Sequence, residues 1–208
     1  MSQPRTIVVH GIGRVSQVPD RATLNIGVET HAATAAAALA DNNSKAGQLI
    51  KVLKDRGVLP KDIQTSNLSV YPQYDNQGRK IVSYQVTNTV TATVRELKDA
   101  GSLIDAAASV TGDAFRVNGI SFSISDNSKA LATARTAAVA DARSIAEQLA
   151  AAAGVKLGQL RTITSSSSSV PSPVVQQLQA ARVAEASVPI EAGSQEVTAE
   201  VDLVFDMA

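Results

Sequence analysis

The sequence predicts an α+β fold: a mixed, mostly antiparallel sheet of about six to seven strands, with helices packed on one face. Two periodicities support this prediction. In several segments apolar residues alternate with polar ones at a period of two, most clearly over residues 83–94. In three longer segments apolar residues recur every three or four positions, as on one side of a helix. Strand-like and helix-like segments therefore share one chain.

The first part of the chain predicts two strands and a helix. Residues 6–15 form the first strand candidate, and residues 22–28 alternate after a turn at Pro19-Asp20. Residues 34–56 then change to helical spacing, and Gly57 follows where a left-handed C-terminal cap is expected. The apolar side of this helix is expected to carry Leu39, Ala46, Ile50 and Leu53.

A long hairpin is predicted next, with strands at residues 63–74 and 83–94 joined by a turn at residues 75–78. One face of the second strand is apolar, and the opposite face is rich in threonine. We expect this threonine face to meet water or another subunit, because half-buried strands place their polar residues outward. The candidate contact residues on it are Thr87, Thr89 and Thr91.

The second half of the chain predicts helices at residues 97–110 and 128–153, with a strand at residues 115–125 between them. This strand is offset at Gly119, where strict alternation breaks. The buried side of the last helix is mostly alanine, which allows its axis to approach a sheet closely. The last two strands are predicted at residues 160–164 and 196–207.

A Ser/Pro-rich arm at residues 165–192 separates those two strands. It opens with five consecutive serines, and Pro171 and Pro173 exclude regular helix or central strand at its start. A connection of this length is either a disordered loop or a functional arm. On the second interpretation, Val174 and Leu178 are further candidate contact residues.

A weak internal repeat links the two halves. Gly57-Val58 followed by Ile63 has the same spacing as Gly154-Val155 followed by Leu160. Each stretch ends a helix and opens a strand, and each helix follows an alternating strand. We therefore predict two β-α-β-β units within a single domain over residues 1–208. The helix near residue 97 and the strand near residue 6 are added around these units.

Composition excludes several classes of function. Lys plus Arg and Asp plus Glu both number 19, so the basic surplus typical of nucleic-acid binding is missing. The chain has no cysteine, which excludes disulfides and thiolate sites. No segment approaches the ~18 apolar residues of a membrane span, and none resembles a signal peptide. The given chain is therefore expected to be cytosolic, or the mature or trimmed form of an exported protein.

No catalytic, metal-binding or cofactor-binding residue is predicted. His10 and His31 have no second ligand at metal spacing. Gly11-Ile12-Gly13 is followed by a strand, whereas a phosphate-binding loop needs a helix. A strand bulge is expected there, and close backbone approach is the other common reason for glycine in a strand. Asn88, polar on an apolar face, is expected to bind a neighbouring backbone group or mark a wet spot.

Two further groups of residues leave alternatives open. Four carboxylates share one face of the last strand and either bind a cation, form an acid–base pair or simply keep a strand face solvated. They are Glu196, Glu200, Asp202 and Asp206. Three tyrosines flank the long hairpin, and ordinary sheet packing is favoured over a contact patch. They are Tyr71, Tyr74 and Tyr84.

The order and spacing of short motifs resemble the SIMPL-domain family, from about residue 6 to residue 205. Each motif is weak alone, and the ordered series is specific. The usual glycine before the tyrosine of one motif is Ser83 here. The motifs are Val9-x-Gly11-x-Gly13, Pro19-Asp20-x-Ala22, Asp62-Ile63-Gln64-Thr65, Tyr84-x-Val86-x-Asn88, Gly119-Ile120-x-Phe122, Ala134-Arg135-x-x-Ala138-Val139-x-Asp141-Ala142-Arg143, Ala153-Gly154-x-x-Leu157-Gly158, Pro189-Ile190-x-x-Gly193 and Glu196-Val197-x-Ala199-x-Val201.

The resemblance implies an exported α+β protein of the bacterial periplasm or cell envelope, with no established catalytic residues. It also implies ring-like or scaffold-like homo-oligomers, envelope-protein partners and a link to stress protection. Membrane association would then need an anchor that this chain lacks. The leading hypothesis is a non-enzymatic envelope protein that self-assembles. The alternatives are a monomeric module that binds a small ligand or an envelope partner, and an enzyme that uses the carboxylates of the last strand.

Overall fold

The described residues of the computed structural model are 5–166, 172–174 and 188–208. Their strands form two four-stranded antiparallel sheets with α-helices packed beside them, which confirms the α+β class. In chain order the elements are β1 (Thr6–Gln17), β2 (Arg21–Ala32), α1 (Ala35–Asp55), β3 (Ile63–Tyr74), β4 (Ile81–Val94), α2 (Ala100–Thr111), β5 (Phe115–Ser123), α3 (Ser128–Ala152), β6 (Leu157–Ser166), β7 (Ser172–Val174) and β8 (Ser194–Met207).

The chain divides into two compact units, each with its own sheet and core. The first unit comprises Met1–Pro19, Ile124–Leu178 and Gly193–Ala208. The second unit comprises Asp20–Ser123 and Gln179–Ala192. The strands are thus distributed over two sheets, where the sequence predicted one mixed sheet. That residues 1–208 form a single domain remains a prediction, because two compact units can belong to one domain or to two.

The sheet of the second unit has the strand order β3-β4-β2-β5, and α1 packs across β2 and β4. Thr34 caps the start of α1 by accepting a hydrogen bond from the Ala37 amide at 3.2 Å. Gly57, with a φ of +90°, follows the helix in the left-handed conformation predicted for its cap. Ala46 and Leu53 are on the buried side of α1 as predicted, whereas Leu39 and Ile50 lie beside it and are only partly buried. The buried side consists of Ala38, Asn42, Ala46, Leu49 and Leu53.

The sheet of the first unit has the order β1-β8-β6, with β7 also paired to β8. The buried side of α3 is built from five alanines spaced by four, Ala134, Ala138, Ala142, Ala146 and Ala150. A Cβ added at Gly11 would lie 2.2 Å from the Ala138 carbonyl oxygen, and one added at Gly13 would lie 1.9 Å from that of Ala134. Of the two alternatives for these glycines, the bulge is wrong, because β1 pairs with β8 without a register break. The glycines instead allow close approach of α3.

The two units repeat one topology, β-α-β-β. The repeat of the second unit consists of β2, α1, β3 and β4, and its strands lie in the order β3-β4-β2. The repeat of the first unit consists of β1, α3, β6 and β8, and its strands lie in the equivalent order β6-β8-β1. The predicted repeat is therefore present, but the first strand of the copy that contains α3 is β1 and not the predicted one. The predicted strand, β5, pairs with β2 in the other sheet, where Phe115 and Phe122 pack on the core. The register shift predicted near Gly119 is confirmed, opposite Asn25 and Ile26.

Candidate functional site

The predicted threonine surface lies on the outer face of the second unit's sheet. Thr87, Thr89 and Thr91 are half-buried among neighbouring strands. The Thr91 hydroxyl donates to Asn25 Oδ1 at 2.9 Å, and Asn118 Nδ2 donates to Thr89 Oγ1 at 3.3 Å. These hydroxyls therefore tie β4 to β2 and β5, and they offer a flat polar surface.

The carboxylate of Glu29 is half-buried on the same outer face of the sheet. Nothing in the sequence singled it out. Arg116 Nη2 donates to it at 3.0 Å and Gln85 Nε2 at 2.7 Å, and His31 Nε2 lies 3.3 Å away. Partial burial acts to raise the pKa of Glu29, but the hydrogen bonds from Arg116, His31 and Gln85 outweigh it and lower the pKa. The only sequence signal was the period-two position of Glu29 on β2, which does not identify its partners.

The far end of the β3–β4 hairpin exposes six large apolar side chains, here called the hairpin patch. Among them, Tyr71 and Tyr74 are 60% and 54% exposed, whereas Tyr84 is half-buried. Leu68 and Val82 are each 54% exposed, although the alternation of a strand would normally bury one of its faces. Two of the three tyrosines are thus exposed, although ordinary sheet packing was favoured, and a contact role stays a hypothesis. The members are Leu68, Val70, Tyr71, Tyr74, Ile81 and Val82.

The four carboxylates of the last strand share one face of the first unit's sheet, as predicted. Each lies near a basic side chain of an adjacent strand. Arg161 Nη2 is 2.6 Å from Asp206, and Arg14 Nε is 3.6 Å from Glu196. The remaining two carboxylates flank His10. This arrangement is a solvated, charge-balanced strand face, and among the described residues no group of three or more His, Cys, Asp or Glu is arranged to hold a metal ion.

His10 lies opposite Asp202 in the β1–β8 register. Its Nδ1 is 2.9 Å from Asp202 Oδ1, and its Nε2 is 4.0 Å from Glu200. The hydrogen bond to Asp202 raises the pKa of His10. Desolvation opposes this increase, whereas the negative charges of Asp202, Glu200 and Asp141 raise the pKa further. Asp141 on α3 also accepts from the Ile12 amide at 3.0 Å, which occupies a backbone donor of β1.

The arm predicted at residues 165–192 is described only in part. Val174 ends the short strand β7, which pairs with Ser194–Glu196 of β8, and Leu178 lies outside the described residues. After the arm, the Val188 amide donates to Asp105 on α2 at 3.4 Å, and Ile190 packs on the core of the second unit. Val174 and Leu178 therefore stay predicted contact residues.

Asn88 was expected to bind a backbone group or to mark a wet spot, and its buried Oδ1 has no hydrogen-bond partner among the described residues. The amide that binds backbone is Asn42 on α1, fully buried, which the sequence analysis did not single out. Its Nδ2 donates to the carbonyls of Val86 at 3.1 Å and Val28 at 3.3 Å. The signal available was a polar residue at the centre of a helical apolar side.

A cleft of about 320 Å³ opens in the second unit between the end of α1, the end of β4 and the start of α2. Within it, Arg95 forms a two-point ion pair with Asp62, Nε to Oδ2 at 2.8 Å and Nη2 to Oδ1 at 3.1 Å. The hydrogen bond from Arg95 lowers the pKa of Asp62 against an opposing desolvation, and the charges of Arg95, Lys61 and Arg21 add to the lowering. In the sequence, Asp62 appeared only as part of a family motif, and nothing there indicated its pairing with Arg95.

Comparison with known proteins identifies the family. A model of the SIMPL family, described as a protein of unknown function, matches residues 7–205. The chain is 33% identical to the 26 kDa periplasmic immunogenic protein of Brucella melitensis, over 99% of this chain and 86% of the relative. It is 32% identical to the uncharacterized protein YggE of Escherichia coli K12, over 97% and 82%. In the described part, no helix is long and apolar enough to cross a membrane. The chain belongs to the SIMPL family.

Proposed function

We propose that this protein acts without catalysis in the bacterial periplasm or cell envelope, by assembling with copies of itself. The location is supported by the Brucella relative, which is named a periplasmic protein. The assembly is supported by the hairpin patch. The resemblance to envelope proteins linked to stress adds a protective role, which the survival of a deletion strain under peroxide would test.

The exposure of the hairpin patch is the observation that carries the proposal. Large apolar side chains exposed together on one hairpin often mark an interaction site, because leaving them in water is unfavourable. The patch includes two tyrosines, which are enriched in protein interfaces. Four of its six members lie on β3, which is an edge strand among the described residues. An edge strand can pair with another strand through its outer backbone groups.

A second copy of the chain is the occupant that the charges favour. The formal net charge is zero, so copies approach without long-range repulsion. Two identical β3 edges can pair antiparallel about a two-fold axis, which makes the contact self-complementary. The threonine surface continues from β4 beside this edge, and Thr87, Thr89 and Thr91 are its proposed polar contacts. Val174 and Leu178 of the arm are proposed as additional contacts.

Sedimentation velocity at high micromolar concentration tests the proposal. We expect the unaltered chain to sediment as an oligomer and the double variant Leu68→Ser, Tyr71→Ser to shift toward monomer. Val8→Ser removes a comparably exposed apolar side chain from the first unit and serves as the matched control. A monomeric unaltered chain would overturn the proposal, as would an oligomer that the double variant leaves intact. Circular dichroism verifies that each variant is folded. Deletion of residues 165–189 tests the contribution of the arm, and we expect it to shift the oligomer while leaving the fold intact.

A second candidate function is a monomeric module that binds a small ligand. The observation in its favour is the cleft around Arg95 and Asp62, which is of ligand-binding size. The same sedimentation experiment separates the two candidates, because this module would remain monomeric at every concentration.

A further inference from the structure

The cleft of the second unit has an apolar floor and a charged rim. Val58, Val94 and Leu103 are buried beneath it, each no more than 7% exposed. The rim is formed by side chains from the end of α1, the end of β4 and the start of α2. An apolar floor with a few convergent charges is the usual construction of a small-molecule site, in which the floor supplies affinity and the charges supply orientation.

Two arginines line the cleft, and they differ in whether the guanidinium group already has a partner. Arg95 uses Nε and Nη2 to hold Asp62, which fixes its plane and leaves further N–H donors for another acceptor. Arg56 follows α1, and its side chain makes no hydrogen bond or ion pair with any described residue. Arg95 is held in position, and Arg56 is unpaired among the described residues, so both can donate to a carboxylate in the cleft.

The opposite charge comes from a separate part of the rim. Glu96 and Asp99 lie in the connection between β4 and α2, and neither side chain has an ion-pair partner among the described residues. Because Arg95 neutralises Asp62, the unpaired charges of the rim are one cation and two anions. A simple anion would be repelled by Glu96 and Asp99, and a simple cation would be repelled by Arg56.

We propose that this cleft binds a small zwitterion of the amino-acid type with an apolar side chain. The carboxylate of the ligand lies at Arg56 and Arg95, its ammonium group at Glu96 and Asp99, and its side chain on the floor formed by Val58, Val94 and Leu103. A cleft of about 320 Å³ is at the small end of ligand sites. This inference is independent of self-assembly, since the hairpin patch contributes no residue to the cleft.

Isothermal titration calorimetry of the full chain with leucine, valine and phenylalanine tests whether the cleft binds such a zwitterion. We expect at least one of them to bind. Leucinamide lacks the carboxylate and N-acetylleucine lacks the ammonium group. Each should bind at least about tenfold more weakly than leucine, because each leaves a charged group of the rim unpaired. Failure of all three amino acids at millimolar concentration overturns the proposal, and so does equal binding of leucine and either derivative.

Arg56→Ala is the decisive variant, because no described contact of the fold depends on this side chain. We expect it to weaken binding at least about tenfold and to leave thermal stability and mass in solution unchanged. Arg79→Ala, at the turn of the β3–β4 hairpin and outside the cleft, is the matched control and should bind normally. Unchanged affinity in Arg56→Ala contradicts the assignment even if the amino acid binds.

Discussion

The first and second units share one sheet topology and pack their helices in two different ways. In the first, α3 presents alanines to a strand that carries Gly11 and Gly13, so helix and strand backbones approach within contact distance. In the second, α1 presents Leu49 and Leu53, with Asn42 among them. One unit is thus held by backbone proximity and the other by larger side chains and a buried amide, which shows that topology does not dictate packing chemistry.

Adding a methyl group to the close contact of the first unit should have the largest effect. Gly13→Ala places a Cβ against the Ala134 carbonyl oxygen, and we expect a loss of about 3 kcal/mol in the free energy of unfolding. Urea denaturation measures the loss, and hydrogen exchange should localise it to β1 and α3. In the second unit Gly47→Ala has open space around it and should instead stabilise α1 by about 0.5–1 kcal/mol. A similar response at both positions would remove the proposed difference between the units.

The buried amide of the second unit should give the next largest effect. Asn42→Ala removes the donor to the Val28 and Val86 carbonyls, and we expect a loss of about 1–2 kcal/mol. Its exposed neighbour Asn43→Ala should change the free energy of unfolding by less than about 0.5 kcal/mol. Chemical denaturation of both variants compares them directly. Equal effects would mean that Asn42 contributes only through helix propensity.

The second unit should lose stability in acid through Glu29. Its pKa lies below the ordinary 4.5 in the folded chain, so its contribution is present above pH 4.5 and is lost as pH falls through the folded pKa. Glu29→Gln should therefore flatten the dependence of the melting temperature on pH in this range. Glu191→Gln, at an exposed site, should retain it. Identical acid profiles for the unaltered chain and Glu29→Gln would refute this role.

The first unit should show the opposite pH dependence, with a smaller amplitude because His10 is exposed. The raised pKa of His10 means that its contribution is complete below pH 6.5 and is lost as pH rises through the folded pKa. An NMR titration should show that Asp202→Asn lowers the pKa of His10. Glu200→Gln should lower it less, since Glu200 is 4.0 Å from the ring and Asp202 is 2.9 Å away. The reverse order would contradict the geometry.

Local periodicity was sufficient to predict most elements of this protein. The strand at Ile63–Tyr74 and the start of α3 at Ser128 agree with the sequence prediction, because alternation and helical spacing are properties of neighbouring residues. The alanine side of α3 likewise indicated close packing on a sheet. Of the candidate site, the sequence predicted the outward face of Thr87, Thr89 and Thr91. It did not indicate that neighbouring strands already use two of these hydroxyls.

Apart from the β3–β4 hairpin, which the sequence predicted, tertiary structure decided which strands pair and which side chains converge. β1 and β5 have similar patterns, yet only β1 carries the glycines that α3 requires, and β5 carries Phe115 and Phe122 for the other core. The exposure of the hairpin patch, the amide of Asn42 and the Arg95–Asp62 pair likewise depend on residues distant in sequence. Periodicity determined the elements and most of the residues on their buried sides. Long-range packing determined their partners, because a strand's pattern states that one face is buried and leaves open which element covers it.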